Sequence, residues 1–480
     1  MRSRHLSTAA LTAVTVAAAA FAAPAVAAGG SVSPTPASYT PSLATSGTDG
    51  SVEQVRQLVR CGSTMYAVGR FSSIKQGAST QARNNAFSFS ATTGALTSWN
   101  PNVNGTVNTV ALSPDCSTAY LGGSFTTVGV AAAKNIAAVS TAGTGALISS
   151  FASSAGSKVN HMELVGGHLL VGGNFTSING STKKYMVSLS PATGSDDGYV
   201  NLNISGKYSY VQQDGLPSGS NSTNIYNMTL SPDLSKVLIM GVFTSVGGQP
   251  RRQLAQLNLG SAGATIGSFY SNEFNQNCYV REPFWLQDAS WSPDGQKVYI
   301  ATTGYKPASD TDVNDGVTSG FYTSEPRGGL CDSAAAFPIT DNSSVSAVNG
   351  ADRLWINYTG CDSLYSTAAD SSTVYVGGHE RWLNNPVQCD NNNSGKAVVD
   401  PGMGGLDPSN GMAITTTNPL KGKYVRGRGL GADDMLIVPA GSPGAGLWIA
   451  SDNAQNTDSC GTTTSGAPAG GHSGICLLPY

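Results

Sequence analysis

The stretch Tyr120-Leu121-Gly122-Gly123-Ser124-Phe125-Thr126-Thr127-Val128 returns as Leu170-Val171-Gly172-Gly173-Asn174-Phe175-Thr176-Ser177-Ile178. It returns more loosely as Ile239-Met240-Gly241-Val242-Phe243-Thr244-Ser245-Val246 and as Val374-Tyr375-Val376-Gly377-Gly378. Self-similarity of this kind marks a chain built from copies of one supersecondary unit. A chain of 480 residues exceeds the size at which single cores divide into domains. Repeats escape that limit, because each unit adds its own slab of core.

The unit can be traced from Val52. Val52, Val55, Leu58 and Val59 supply a first strand, residues 65–71 a second and residues 85–89 a third. The turn Thr92-Thr93-Gly94 then leads into a fourth strand over residues 95–99. The next unit repeats every part: residues 107–112, the turn Ser113-Pro114-Asp115, residues 120–125, residues 136–139, Thr144-Gly145 and residues 146–151. The Ser-Pro-Asp turn recurs at 231–233 and 292–294, and the Thr-Gly turn at 193–194, with Asn410-Gly411 as a variant. Aligned second strands place Val68, Leu121, Val171, Met240 (or Ile239), Ile300, Val376 and Ile449 in equivalent positions, which counts seven units. One four-stranded sheet cannot bury both its faces, whereas seven arranged radially bury them against each other. The expected fold is all-β, a seven-bladed β-propeller of four-stranded antiparallel blades; the alternative is two stacked β-sandwiches. The glycine pairs are expected where neighbouring backbones crowd, and Phe71, Phe125, Phe175 and Phe243 between blades. The last unit has only three strands, and residues 39–43 precede the first unit as a spare extended piece. That piece is expected to complete the last blade and close the ring.

The first 27 residues carry a basic head, an apolar run from Ala9 to Ala23 and an Ala25-Val26-Ala27 end. This pattern reads as a secretory signal peptide, and the run is short of the ~20 residues that span a bilayer. Residues 28–37 read as linker and 38–480 as propeller. Expected localisation is secreted, extracellular or envelope-associated. With only 11% charged residues and a net charge of −3, there is no nucleic-acid footprint and no basic run for a membrane surface. In an oxidising compartment eight cysteines read as disulfides. Cys61 and Cys116 occupy the same turn in adjacent units. Cys278 and Cys331 lie on one side of unit five, and Cys361 and Cys389 on one side of unit six. Cys460 and Cys476 remain, so four pairs are expected.

The Tyr-Leu-Gly-Gly-x-Phe-Thr repeat followed by a Thr-Gly turn resembles the delta-60 repeat β-propeller domain of secreted bacterial proteins. The later half, with Cys331-Asp332-Ser333-Ala334-Ala335-Ala336-Phe337, Trp355-Ile356-Asn357-Tyr358-Thr359-Gly360 and the run from Val374 to Pro386, looks like a family of exported bacterial propeller proteins. The resemblance implies fold and export, and no activity.

Blade topology puts the turns joining strands one to two and three to four on one face. The two-to-three loops and the inter-blade links lie on the other. The long segments 205–224, 267–286, 304–330, 379–402 and 418–430 all belong to the second class, and elaborated loops on a rigid scaffold are where binding resides. Candidate ligand-binding residues on that face are Arg281, Glu282, Trp285, His379, Glu380, Arg381, Trp382, Arg426 and Arg428. Glu380 takes the place that Phe125 and Phe175 hold in their units, and a charge there needs a partner. The competing reading makes the same residues an ion-pair network that ties loops together. Asp310, Asp312, Asn314 and Asp315 before Gly316 have the composition of a calcium loop in the wrong frame. No cofactor, metal or catalytic residue is assigned. A Glu282 pairing with Glu380 or Asp288 could be imagined for glycoside hydrolysis, but no Gly-x-Ser-x-Gly elbow is present. The expectation is a monomeric, non-catalytic propeller that binds an extracellular glycan or protein. The alternatives are a polysaccharide-active hydrolase or lyase and a structural envelope protein.

Overall fold

The computed structural model describes residues 31–44, 52–207, 222–275, 284–304, 329–339, 352–386, 395–424, 431–452 and 473–480. Among them the named elements are the 3₁₀ turn Asn272–Asn275 and β-strands. No helix among the described residues is long and apolar enough to cross a membrane. The signal-peptide segment and the acidic segment 310–316 lie outside the described residues.

Among the described residues, seven antiparallel sheets built on long strands, each of three or four strands, follow one another along the chain, with smaller sheets formed by the short strands between them. Their first strands are Gln54–Cys61, Thr106–Leu112, Val159–Val165, Asn224–Leu230, Trp285–Trp291, Leu364–Ala369 and Ala432–Val438. All seven line one central cavity of ≈ 990 Å³. The architecture is that of a β-propeller. The apolar faces meet between sheets: Val68 and Trp99 of the first unit share a cluster with Leu121 and Phe125 of the second. Phe87 and Phe89 share another with Trp448 and Ile475 of the seventh. The interblade phenylalanines behave as expected, with Phe71, Phe125, Phe175 and Phe243 all buried.

The fourth strand is weaker than its sequence suggests. It forms a ladder only at Gly263–Ile266 and Trp355–Tyr358. Elsewhere it shrinks to single bridges, Phe89 to Leu96, Val139 to Leu147, Leu189 to Asp196 and Leu406 to Ala413. The outermost strand has a neighbour on one side only, so nothing holds it flat beyond its turn. The two-to-three connections are not plain loops: five carry small hairpins, such as Thr127–Val128 with Ala131–Ala132.

Register also corrects one alignment. Leu121, Val171, Ile239, Ile300, Val376 and Ile449 each face the second residue beyond a bulge in the first strand, and in the first sheet that partner is Ala67, not Val68. Gly69 is the equivalent of Gly123, and Val68 stands where Gly122 does. The pair has two separate causes. A Cβ on Gly123 would lie 2.1 Å from Thr106 O in its own bulged strand; one on Gly122 would lie 2.6 Å from Val159 Cγ1 of the next sheet. The second glycine therefore accompanies the bulge, and only the first reports on the neighbouring blade.

At the N-terminus, Ser33 N donates to Pro479 O (2.6 Å), Ala37 N to Leu477 O (2.9 Å) and Leu43 N to Ser473 O (2.8 Å). Val32 is buried among residues of the sixth and seventh sheets. Docking on the last strand thus begins at Ser33, within the segment read as linker. Ser42–Leu43 pairs in turn with Ser73–Gln76 of the first unit.

Candidate functional site

Every first strand departs from regular pairing at one place. The register slips between Val55 and Gln57, Val107 and Thr109, Val159 and His161, Ile225 and Asn227, Leu286 and Asp288, Leu364 and Ser366, and Ala432 and Asp434. A bulge leaves backbone groups unpaired, and buried polar groups need partners. Side chains supply them. The bulged residues are Arg56, Asn108, Asn160, Tyr226, Gln287, Tyr365 and Asp433, and all seven line the cavity.

These side chains link each sheet to the next. Arg56 Nη1 donates to Asn108 Oδ1 at 2.6 Å, and Gln57 Oε1 accepts from Val110 N at 2.6 Å. Asn108 Nδ2 donates to Val159 O (2.7 Å), and Thr109 Oγ1 accepts from Met162 N (3.1 Å). Asn160 Nδ2 donates to Ile225 O (2.7 Å) and Asn227 Nδ2 to Asp288 Oδ1 (2.7 Å). Asp288 Oδ2 accepts from Thr367 N (2.8 Å), and Ser366 Oγ donates to Ala432 O (2.8 Å). Asp434 Oδ2 accepts from Leu58 N (3.0 Å), which joins the seventh sheet to the first. Burial pushes Asp288 up to about 7, against three N–H donors that favour its carboxylate and with Asp434 adding repulsion. Burial likewise pushes Asp434 up to about 6, opposed by the Leu58 N–H and by His161.

Sequence reasoning missed this belt, although a signal was present. Val-Arg-Gln, Val-Asn-Thr, Val-Asn-His, Ile-Tyr-Asn, Leu-Gln-Asp, Leu-Tyr-Ser and Ala-Asp-Asp each put two polar residues in succession where a strand should alternate. That doublet is the bulge.

The expected site residues separate into two groups. Each bulge falls within the first three residues of its strand, toward the end at which that strand begins. Trp285 opens the first strand of the fifth sheet there and is half-buried. His379 follows the second strand of the sixth, and its Nδ1 lies 3.3 Å from the Oη of Tyr365, a bulge residue of the cavity wall. Arg381 instead makes a two-point contact with Asp362, Nε to Oδ2 at 2.6 Å and Nη2 to Oδ1 at 2.9 Å. Its guanidinium sits 4.5 Å from the centroid of the Trp382 ring. Glu380 is fully buried in the phenylalanine position, within electrostatic reach of Asp400, whose own carboxyl burial drives well above the usual range. Arg281, Glu282, Arg426 and Arg428 lie outside the described residues.

Cys61 and Cys116 form the expected disulfide between adjacent turns, with Cα atoms 5.9 Å apart. Cys331, Cys361 and Cys476 are disulfide-bonded as well; their expected partners Cys278, Cys389 and Cys460 lie outside the described residues. Among the described residues no three His, Cys, Asp or Glu side chains are grouped to hold a metal ion.

No curated protein matches this sequence. A profile for a β-propeller domain of unknown function (DUF5122) matches residues 235–261, the second and third strands of the fourth sheet. Among solved structures, U3-55K is 7% identical with a TM-score of 0.44, over 93% of this chain and 100% of that one. The WD40 repeats of RRP9 are 8% identical with a TM-score of 0.45, over 93% and 98%. Hydrazine synthase of Kuenenia stuttgartiensis is 13% identical with a TM-score of 0.40, over 81% and 89%.

Proposed function

We propose that the chain is a secreted, closed seven-bladed propeller of the delta-60 repeat type that binds an extracellular glycan or protein without catalysis. Its binding surface is the long-loop face around the mouth of the central cavity. The observation that carries this reading is the contact of His379, which opens a long segment, with Tyr365 in the wall of a cavity lined by all seven sheets. Trp is enriched among residues that dominate binding. Closure is supported by the backbone of residues 33–43 against the last strand and by the Asp434 to Leu58 link. The non-catalytic reading is supported by Asp288, the cavity carboxylate driven furthest from its ordinary range, because both its oxygens are engaged by the belt. Arg381 and Trp382 form the rim: their mutual stacking and the Asp362 contact hold a loop in place. A glycan array combined with reducing-end assays on the same polymers tests the proposal. Binding without turnover, lost in His379→Ala and Trp285→Ala variants of unchanged melting temperature, is expected. Reducing-end release would overturn it.

A further inference from the structure

The end of the sheets at which the first strands begin carries a division of charge that the belt does not require. The residues there pair across each sheet: Gln54 with Arg70, Thr106 with Ser124, Asn224 with Val242 and Trp285 with Thr303. Lys158 O accepts from Asn174 N (2.9 Å) and Ser363 O from His379 N (2.8 Å), which puts those pairs at the same level. Gln54 also bridges Asp452 of the seventh sheet. The cations Arg56, Arg70 and Lys158 stand here on the first and third sheets, and an unbroken run of contacts joins them. Arg70 faces Gln54 in register, and Gln54 Oε1 accepts from Arg56 Nε (2.9 Å). Arg56 Nη1 donates to Asn108 Oδ1 (2.6 Å), and Asn108 Nδ2 donates to the carbonyl of Val159 (2.7 Å), the residue after Lys158.

Arg70 and Lys158 are exposed, and among the described residues neither has an ion-pair partner. Partial burial, and then the charge of Arg56, hold the Lys158 ammonium below its usual range. Like charges gathered without counter-ions destabilise one another, and an anion relieves them. The carboxylates at these levels are Asp433, which answers Arg56, and Asp452, which is buried. The fourth to sixth sheets present rings instead: Tyr226, Trp285, Tyr365 and His379 are each half-buried, and Tyr365 and His379 meet edge to face at 5.0 Å. Deeper in the cavity, His161 turns to Glu163 Oε1 (3.2 Å) where its equivalents reach the neighbouring sheet, and Glu163, Asp288 and Asp434 make that wall acidic. An anion is therefore favoured at this end and disfavoured in the interior. A sugar ring that carries an acidic group suits both sides, its apolar face on an aromatic ring and its charge on a guanidinium or ammonium.

We propose that this end of the propeller binds an acidic polysaccharide, with its carboxylates or sulfates on Arg70 and Lys158 and its sugar rings against the aromatic side. The inference rests on the binding reading above and names its ligand class. At a net charge of −3 the chain has no general attraction for polyanions, so such binding reports on this patch. Calorimetry on the mature chain tests it, with hexagalacturonate as the probe and its fully methyl-esterified form as the uncharged control. A sulfated dextran oligomer, compared with plain dextran, is the second probe. Binding of the acid and not of its ester is expected, weakening as salt rises. The double variant Arg70→Ala with Lys158→Ala should lose about tenfold or more in affinity. Both residues lie outside the belt, and a melting curve establishes that the variant folds. The same pattern with sulfated dextran alone supports the proposal and makes sulfate the anion. Equal affinity for acid and ester, equal affinity in wild type and the double variant, or no binding of either acidic probe each overturns it. A neutral glycan or a protein that binds wild type and the double variant alike then leaves the long-loop reading standing. Charge-dependent binding accompanied by reducing-end release removes the non-catalytic reading and keeps this one.

Discussion

Asp288 is the belt residue whose chemistry can be read most directly in solution. Its ordinary value of 3.8 rises to about 7 in the folded chain, chiefly through burial. The folded protein therefore holds a proton that the unfolded chain releases between those two values. Stability contributed by this group is highest at or below pH 4, falls as pH rises toward 7, and changes no further above. At ~1.4 kcal/mol per pH unit, ionising the carboxyl in the folded chain costs at most on the order of 4 kcal/mol, less what water in the cavity screens. Asp288→Asn removes the ionisation while keeping one acceptor oxygen, at the expense of about one hydrogen bond, ~1 kcal/mol. Asp288→Ala leaves the Thr367, Ala289 and Asn227 donors unanswered, which costs about 2–4 kcal/mol at every pH. Urea unfolding at pH 5 and pH 8 measures both effects. Wild type should be more stable at pH 5. Asp288→Asn should narrow that gap by roughly 2–3 kcal/mol at most without abolishing it, because Asp434 and Asp400 are raised too. A gap in Asp288→Asn equal to that of wild type would show that the belt's N–H groups keep the carboxylate charged throughout, and the reasoning would fail.

Gly123→Val would drive a Cβ into Thr106 O and cost at least about 3 kcal/mol; a melting temperature near that of wild type would mean the bulge can relax. Arg381→Met would leave Asp362, whose side chain is 8% exposed, without its two-point partner. A loss of about 3–5 kcal/mol is expected by chemical denaturation, and a neutral effect would make the pair incidental. Replacing Cys61 and Cys116 by Ala should cost about 2–4 kcal/mol, and reductant should cost wild type more, because the bonds of Cys331, Cys361 and Cys476 open as well. A chain starting at Gly50 lacks Val32 and Leu43 from the buried face and the three backbone donors to the last strand. It should aggregate at concentrations where the full mature chain stays monomeric by light scattering.

Much of the architecture is legible in the linear order, because a repeat writes the same local requirement several times. Gly122-Gly123 and Gly172-Gly173 announce close backbone approach, Phe125 and Phe175 announce a filled gap between sheets, and Ser113-Pro114-Asp115 announces a turn whose Ser113 Oγ does donate to Asp115. These are short-range demands, each met within one unit or against one neighbour. The disulfide of Cys61 and Cys116 was legible for the same reason, since equivalent turns of adjacent units lie side by side. The fourth strands were overestimated because alternation shows what a segment can pair with, not whether the sheet holds it there. The belt and the cavity belong to the tertiary structure. Gln57 and Val110, Asp288 and Thr367, and Asp434 and Leu58 are brought together by seven bulges at one level around a common space. The polar doublets are visible along the chain, but which amide each answers depends on register between sheets. That register is set by packing of the whole ring, and so is the isolation of His161 from the belt that its equivalents complete.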